Sequence, residues 1–533
     1  MVIIMKKLLC IFVSALLVAG VFGVTASASG ISSVTKTIKI YNSGDILPAE
    51  PITQLTIKEQ QLLYGGNEQN GSESVTDLLF NTIYDNLKNM NTEIDISSFE
   101  LLWTQENINI VSAAYNYIML VSPDLFMKTD INVGYHSGMS HGKTIIHDIT
   151  VSYITSKEEY DAKYAEYKEK LDSIVTDIPQ GLTDVEKVFY IYNYLALNFE
   201  YQSDYDDEAG TTIRDAYNFF TQGKGVCMAY SYAFIAIMNE LGIESTLAID
   251  NADNHAWNIV LLNDKAYHID CTFADPLFGN YDKTGYVGYE YFLLSNSEML
   301  TRPLHSEYTT YEKMLFGTDI ICDDSTYESG YVWLNSTVAS PFIYCDGNWY
   351  YMDYNSNTKL LKVNDDFKSV IDTEVTVNDK WYADASAGRY WSGYFGSIFT
   401  FGNEVCYSTP DSFRLYNPQT GKVSELSCEK YNLGGKNIYG CSYDGHGNIK
   451  VLCESSPNDV PKNNITVKVS MGSNAVDLAA AQKFILTGEC DKNWGYFDVS
   501  GDIGIDIRDL VALKKRAASV SGGNSGEYFP GNW

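Results

Sequence analysis

The sequence predicts an α+β protein of several domains, and three observations lead there. Helical patterns alternate with strand patterns to about residue 315, the composition then turns to Tyr, Trp, Gly and Asn, and two similar Asp-Leu helices follow near the end. With 533 residues, 45% of them hydrophobic and 20% charged, the chain is a folded one with room for roughly three or four domains.

In chain order, Lys6 and Lys7 precede an apolar run over residues 8–24 and then Ala26-Ser-Ala28. A positive start, an apolar middle and a small-x-small end predict a secretory signal peptide over residues 1–28. Cys10 stands at the start of that run, which argues against a lipid anchor, and no later stretch is apolar enough to span a bilayer. The expected location is extracellular or on the cell surface. A formal charge of −31 repels phosphate backbones and excludes nucleic acid as a partner. Disulfides among Cys322, Cys345, Cys406, Cys428, Cys441 and Cys453 are permitted outside the cell, but no spacing points to one.

Residues 29–170 read as a mixed lobe. It has a helical pattern over 75–90, a strand over 144–153 and a charged helix over 158–175. His136, His141 and His147 fall in this lobe, but without a companion cysteine or a helical spacing they read as loop and strand residues, not metal ligands. A core is expected over 171–315. Thr183-Asp-Val-Glu186 has the form of a capping box, and Val188, Ile191, Tyr192 and Leu195 give the helix it starts a buried face. A second helix follows Gly225, presents Ala229, Ala233, Phe234, Ile237, Met238 and Leu241 on one side, and stops at Gly242. Residues 246–250 make a short strand, and 255–262 with 266–272 make a hairpin around Asn263-Asp264.

Within this core lies Gly225-Val-Cys-Met-Ala-Tyr230. A thiol attacks only as a thiolate, so Cys227 needs help. The start of a helix favours negative charge and leaves amides free for an oxyanion. His255 is the imidazole to take the proton. If Asn263-Asp264 is a two-residue turn, Leu262 faces Lys265 and Trp257 faces Asp270. Asp270 is then the diagonal neighbour of His255, about 7 to 8 Å away along the backbone and within side-chain reach. Alone, each of the three residues is more often structural. In this order they form a specific set.

These residues resemble the transglutaminase-like superfamily, in particular its secreted bacterial cysteine peptidases. The resemblance rests on the motif around Cys227, on His255-Ala-Trp-Asn258, on Tyr267-His-Ile-Asp-Cys-Thr272 with Asp275-Pro276, and on Asn198-Phe-Glu-Tyr201 upstream. It implies a papain-like core with the cysteine helix packed on an antiparallel sheet, Cys227 as nucleophile, His255 as general base and acid, and Asp270 as the orienting carboxylate. Tyr201 or Gln222 would complete the oxyanion hole. No cofactor is implied for catalysis, and the substrate would be a protein or peptide. Met228 stands where many relatives carry glutamine. Hydrolysis is preferred over cross-linking, the alternatives being a cross-linking transglutaminase or a binding protein with a vestigial triad.

Residues 325–460 carry hairpin signals at Asp346-Gly-Asn348, Gly402-Asn403 and Gly445-His-Gly-Asn448. Their intervals of about 45 to 55 residues suggest a partial propeller, with a sandwich as the alternative. Its aromatics either stack on polysaccharide or, the blander reading, pack strand faces.

Over residues 464–520, Asp498, Ser500, Asp502, Asp506 and Asp509 occupy positions 1, 3, 5, 9 and 12 of an EF-hand-like loop, the oxygen spacing that calcium takes. With the repeated Asp-Leu helices the region resembles a degenerate type I dockerin, which implies a cohesin-type scaffold partner. Position 6 is Ile503 instead of glycine, and a first loop over 466–477 offers Thr466, Lys468 and Ser470 where acids belong. A Gly-Ser-rich tail over 521–533 is expected to be flexible.

Overall fold

The computed structural model describes residues 36–39 and 75–468, apart from 205, 207, 279–280, 356, 385–387, 427–436, 445–447 and 455–462. The expected signal peptide, the calcium loop and the tail therefore lie outside the described residues. Two compact units divide the chain. One holds residues 1–175, 183–275 and 288–329, the other 176–182, 276–287 and 330–533.

In the first unit the expected lobe and core fold together. The lobe's strands Lys36–Lys39, Thr129–Ser140, Lys143–Tyr153 and Glu93–Asp95 form one antiparallel sheet in that order. Two buried bonds tie lobe to core: Tyr232 Oη donates to the Leu120 carbonyl at 2.7 Å, and Tyr117 Oη donates to Glu312 Oε1 at 2.7 Å. Thr246 donates to that same Glu312 oxygen at 2.8 Å, so one buried carboxylate joins three segments.

The core runs α1 (Asp184–Asn198), β1 (Glu200–Tyr201), α2 (Ala216–Gln222), β2 (Lys224–Gly225), α3 (Cys227–Leu241), β3 (Ser245–Asp250), β4 (His255–Leu262), β5 (Lys265–Ile269) and α4 (Cys271–Ala274). Both halves of the Thr183–Glu186 capping box form at the start of α1. Gly242 ends α3 at φ 70°. The residue pattern predicts one buried side for α3; the structure buries every residue from Met228 to Met238. A helix apolar nearly all round belongs inside the core, where Tyr230, Ser231 and Tyr232 also find partners.

Strands β3, β4 and β5 form a three-stranded antiparallel sheet. Asn263 and Asp264, at φ 51° and 61°, make the two-residue turn, and Leu262 faces Lys265. The strand expected over 266–272 ends earlier, at Ile269, because Asp270 caps α4 by accepting from the amides of Thr272 and Phe273. Residues 289–310 then cross from one sheet edge to the other, pairing Leu294 with His268 on β5 and Thr309 with Ile249 on β3.

The second unit contains three antiparallel meanders in sequential strand order, over 343–377, 398–426 and 437–468. The middle sheet buries both faces. Ile398, Val405 and Tyr407 pack with Tyr350, Met352 and Trp381 of the preceding segment, while Phe399 and Cys406 pack with Ile438 and Cys441 of the next. Two successive cores thus run through these sheets, and no closed barrel forms among the described residues. Tyr350 and Tyr407 are buried as core residues.

Two boundaries move. Residues 464–468, expected to open the C-terminal module, belong to the strand Asn463–Lys468 paired with 448–453, so Thr466 sits opposite Lys450 and not at a loop start. Residues 276–287, expected in the core, group with the β unit. Lys450 pairs with Asp282, Tyr286 Oη donates to the Tyr439 carbonyl, and Ser397 Oγ bridges the Gly285 and Cys441 carbonyls. Gly440 packs so closely on Thr284 that a Cβ would lie 2.0 Å from its carbonyl oxygen.

Candidate active site

Cys227 is the first residue of α3, behind Val226 as N-cap. The amides of Ala229 and Tyr230 already donate to the Val226 carbonyl, so the amides of Cys227 and Met228 are the ones at this helix start that lack a helical acceptor. The chain reaches this point through β1 and β2, paired in parallel with Tyr201 opposite Gly225. Gly225 is required by space: a Cβ there would lie 2.6 Å from the Ala229 Cβ and 2.8 Å from Phe219. Cys227 is half-buried and its thiol is free, whereas Cys271, Cys322 and Cys345 are free but buried.

Two polar side chains register α3 against the sheet. Ser231 Oγ donates to the carbonyls of Cys227 at 3.0 Å and Ala256 at 3.2 Å. Asn258 Nδ2 donates to the carbonyls of Ser231 at 3.1 Å and Thr246 at 3.3 Å. The Ser231 bridge sets the first turn of α3 beside the residue that follows His255.

His255 begins β4, and its Nε2 donates to Asp270 Oδ2 at 2.6 Å, which leaves Nδ1 for Cys227. Burial would push this imidazole down; the Asp270 carboxylate and then Cys227 more than offset it, raising it to about 10. Asp270 is fully buried. Burial would raise its carboxyl, but His255 and then His305 hold it well below the ordinary carboxylate range. Its other oxygen accepts from the amides of Thr272 at 2.7 Å and Phe273 at 3.2 Å.

Trp257 backs the imidazole, stacked on His255 with centroids 5.7 Å apart. Its indole N–H donates to His268 Nδ1 at 3.0 Å, so His268 carries its proton on Nε2 and donates to Asn296 Oδ1 at 2.8 Å. Burial lowers His268 to about 4, keeping it neutral. Asp250 holds the turn before His255. Its carboxylate accepts from the amides of Ala252, Asp253 and Glu307 and from the Ser306 hydroxyl.

The structure thus brings Cys227, His255 and Asp270 together. Of the two oxyanion candidates, Tyr201 lies on the strand beside Gly225, but its amide donates to Asp275 at 3.0 Å. Gln222 is exposed at the end of α2, its amide engaged by Asn218 one turn back. Asp275, which also accepts from Tyr230 Oη at 2.5 Å, anchors β1. His305 carries no signal in the sequence, because no spacing ties residue 305 to the motif. Ser231 and Asp250 are likewise anonymous polar residues there.

Among the described residues, His255, Asp270 and His305 are the group whose ligand atoms lie near enough to suggest a metal. Both nitrogens contact Asp270 Oδ2, at 2.6 and 2.9 Å. Ligand atoms bound tetrahedrally at about 2.0 Å stand about 3.3 Å apart, so these are hydrogen-bond spacings and the residues do not fit a metal as they stand. His136 and His147 instead flank Asp148, and His141 pairs with Glu100.

Residues 172–271 match the profile of the transglutaminase-like superfamily, so the chain carries a transglutaminase-like domain. A solved structure described as "Crystal structure of a TGase" aligns at 18% identity and a TM-score of 0.19, over 26% of this chain and 43% of that one, less than half its length. No curated protein matches the chain. No described helix is long and apolar enough to cross a membrane.

Proposed function

We propose that the first unit catalyses thiol acyl transfer on a protein or peptide amide, with water as the final acceptor. The observation that supports this is a half-buried thiol at a helix start beside an imidazole whose other nitrogen is bonded to a buried carboxylate. In this reading His255 Nδ1 takes the Cys227 proton, and the thiolate attacks the amide carbonyl. The first amides of α3 stabilise the oxyanion. His255 then returns a proton to the departing amine, leaving a thioester on Cys227. Water activated by the same imidazole releases the acid. Asp270 keeps the His255 ring in the tautomer that leaves Nδ1 facing sulfur. Export by a signal peptide, calcium at Asp498, Ser500, Asp502, Asp506 and Asp509, docking to a cohesin-type scaffold and polysaccharide contact belong to the same proposal.

The test is the pH dependence of Cys227 alkylation, read by mass spectrometry against the other cysteines, with His255→Ala as control. Rapid labelling well below pH 8, lost in the control, is expected. Labelling at an ordinary thiol rate would sink the reading. Incorporation of a labelled primary amine into a glutamine-bearing protein in preference to hydrolysis would reassign it as a cross-linker.

A further inference from the structure

His305 lies outside the region that matches the transglutaminase-like profile, which stops at residue 271. It is fully buried, on the segment that crosses the sheet between its pairings at Leu294 and Thr309. Its Nε2 contacts Asp270 Oδ2 at 2.9 Å, and its Nδ1 contacts the Pro303 carbonyl at 2.6 Å. Both partners are acceptors. A neutral imidazole has one N–H, so one of these contacts would oppose two lone pairs with no solvent to intervene.

The surroundings fit a charged ring. Trp257, Tyr291 and Phe273 enclose His305 with centroids 4.6, 5.0 and 5.3 Å away, and the His255 ring stands edge-on at 4.9 Å. Aromatic faces attract a cation, more so when it is desolvated. Asp270 receives four donors, two imidazoles on Oδ2 and two amides on Oδ1, which suits the carboxylate and not the acid. Leu304, just before His305, is held at φ 61° while partly exposed, a strained backbone spent on placing the next residue.

We propose that His305 is a positioning residue for this site, a doubly protonated imidazole that holds Asp270 ionised and aimed at His255. The inference rests on the acyl-transfer reading for its consequence, but not for its charge state. The groups facing it are Asp270, His255, the neutral His268 behind Trp257, and Arg302, whose guanidinium lies over the Tyr291 ring at 5.8 Å. With Cys227 as thiolate and His255 as imidazolium, His305 makes the four-residue site neutral overall. Asp270 alone would leave one negative charge in excess, a setting less favourable to the thiolate.

The experiment uses the full chain with ¹⁵N-labelled histidine, the His305 signals being those lost in His305→Gln. Both ring nitrogens protonated under the conditions of the labelling assay is the expected result; a neutral-tautomer pattern there overturns the proposal. His305→Gln keeps a donor toward Asp270 but no charge, and its alkylation of Cys227 at pH 7 is expected to slow roughly tenfold, with the profile moved about one unit toward alkaline pH. An unchanged profile in folded His305→Gln also overturns it. His305→Phe, which fills the aromatic enclosure without a donor, serves if the glutamine variant misfolds, with a larger loss expected. Ordinary labelling of unaltered Cys227 together with an imidazolium His305 sinks the acyl-transfer reading alone.

Discussion

Two His–Asp–His clusters occur in the first unit, and they differ in what their carboxylates do. In the lobe, Asp148 gives one oxygen to each imidazole: His136 at 2.5 Å and His147 at 2.9 Å. Those imidazoles are 29% and 41% exposed, so water reaches both rings although Asp148 itself is buried. In the core, Asp270 gives both imidazoles one oxygen and spends the other on capping α4, with His255 6% exposed and His305 fully buried. The same three residue types thus yield a cluster whose imidazoles are solvated and a dry, fully bonded one. Only the second is approached by a thiol, through α3. Burial and the assignment of individual oxygens separate the two, not composition.

The sharpest test is to remove each carboxylate. Asp270→Ala strands two buried imidazoles and should cost about 3 to 5 kcal/mol, whereas Asp148→Ala should cost about 1 kcal/mol or less. Chemical denaturation of the two variants measures this, and equal losses would break the comparison. Activity should divide the same way, with Asp270→Asn slowing turnover by roughly 10² to 10⁴-fold.

Titration gives the next contrast. The raised His255 contributes stability that is fully present below about pH 6.5, the unfolded value, and is lost as pH rises through about 10. The lowered Asp270 contributes stability present above about pH 3.9 and lost as pH falls toward its folded value. Denaturation midpoints from pH 6 to 11 should therefore fall in the unaltered protein and flatten in Asp270→Asn. A fall of the same size in that variant would show that another group carries it.

Gly225→Ala should follow, at about 1 to 3 kcal/mol, because a methyl group there overlaps Ala229 and Phe219 at the start of α3. It should also slow Cys227 labelling while leaving the His255–Asp270 imidazole signals in place. The smallest effect expected is from Ser231→Ala, about 1 kcal/mol for the bridge between the Cys227 and Ala256 carbonyls. Labelling should slow several-fold if that bridge sets the thiol against His255; an unchanged rate would mean that Asn258 and packing suffice.

Much of the site is legible in the order of residues, because its parts are governed by local rules. The capping box of α1, the glycine that ends α3 and the Asn263-Asp264 turn each depend on a few neighbouring residues. That turn alone sets Asp270 diagonal to His255, since strand register follows from loop length. The Tyr-rich unit is visible as a run of hairpins, two of whose turns form as expected at Asp346-Gly347 and Gly402-Asn403.

What sequence by itself determined, then, is the chemistry present and its local geometry: a cysteine at a helix start, and a histidine and an aspartate paired across one hairpin. Tertiary structure decided the rest. It decided that Ser231 would bring that helix to the hairpin, that residues 276–287 would join the β unit, and that His305, 35 positions beyond Asp270, would share its oxygen. These contacts join segments far apart in the chain, and they exist only where packing excludes water. No periodicity or spacing records which distant polar atoms meet when solvent is removed, and that desolvation is what separates the buried His–Asp–His cluster from the exposed one.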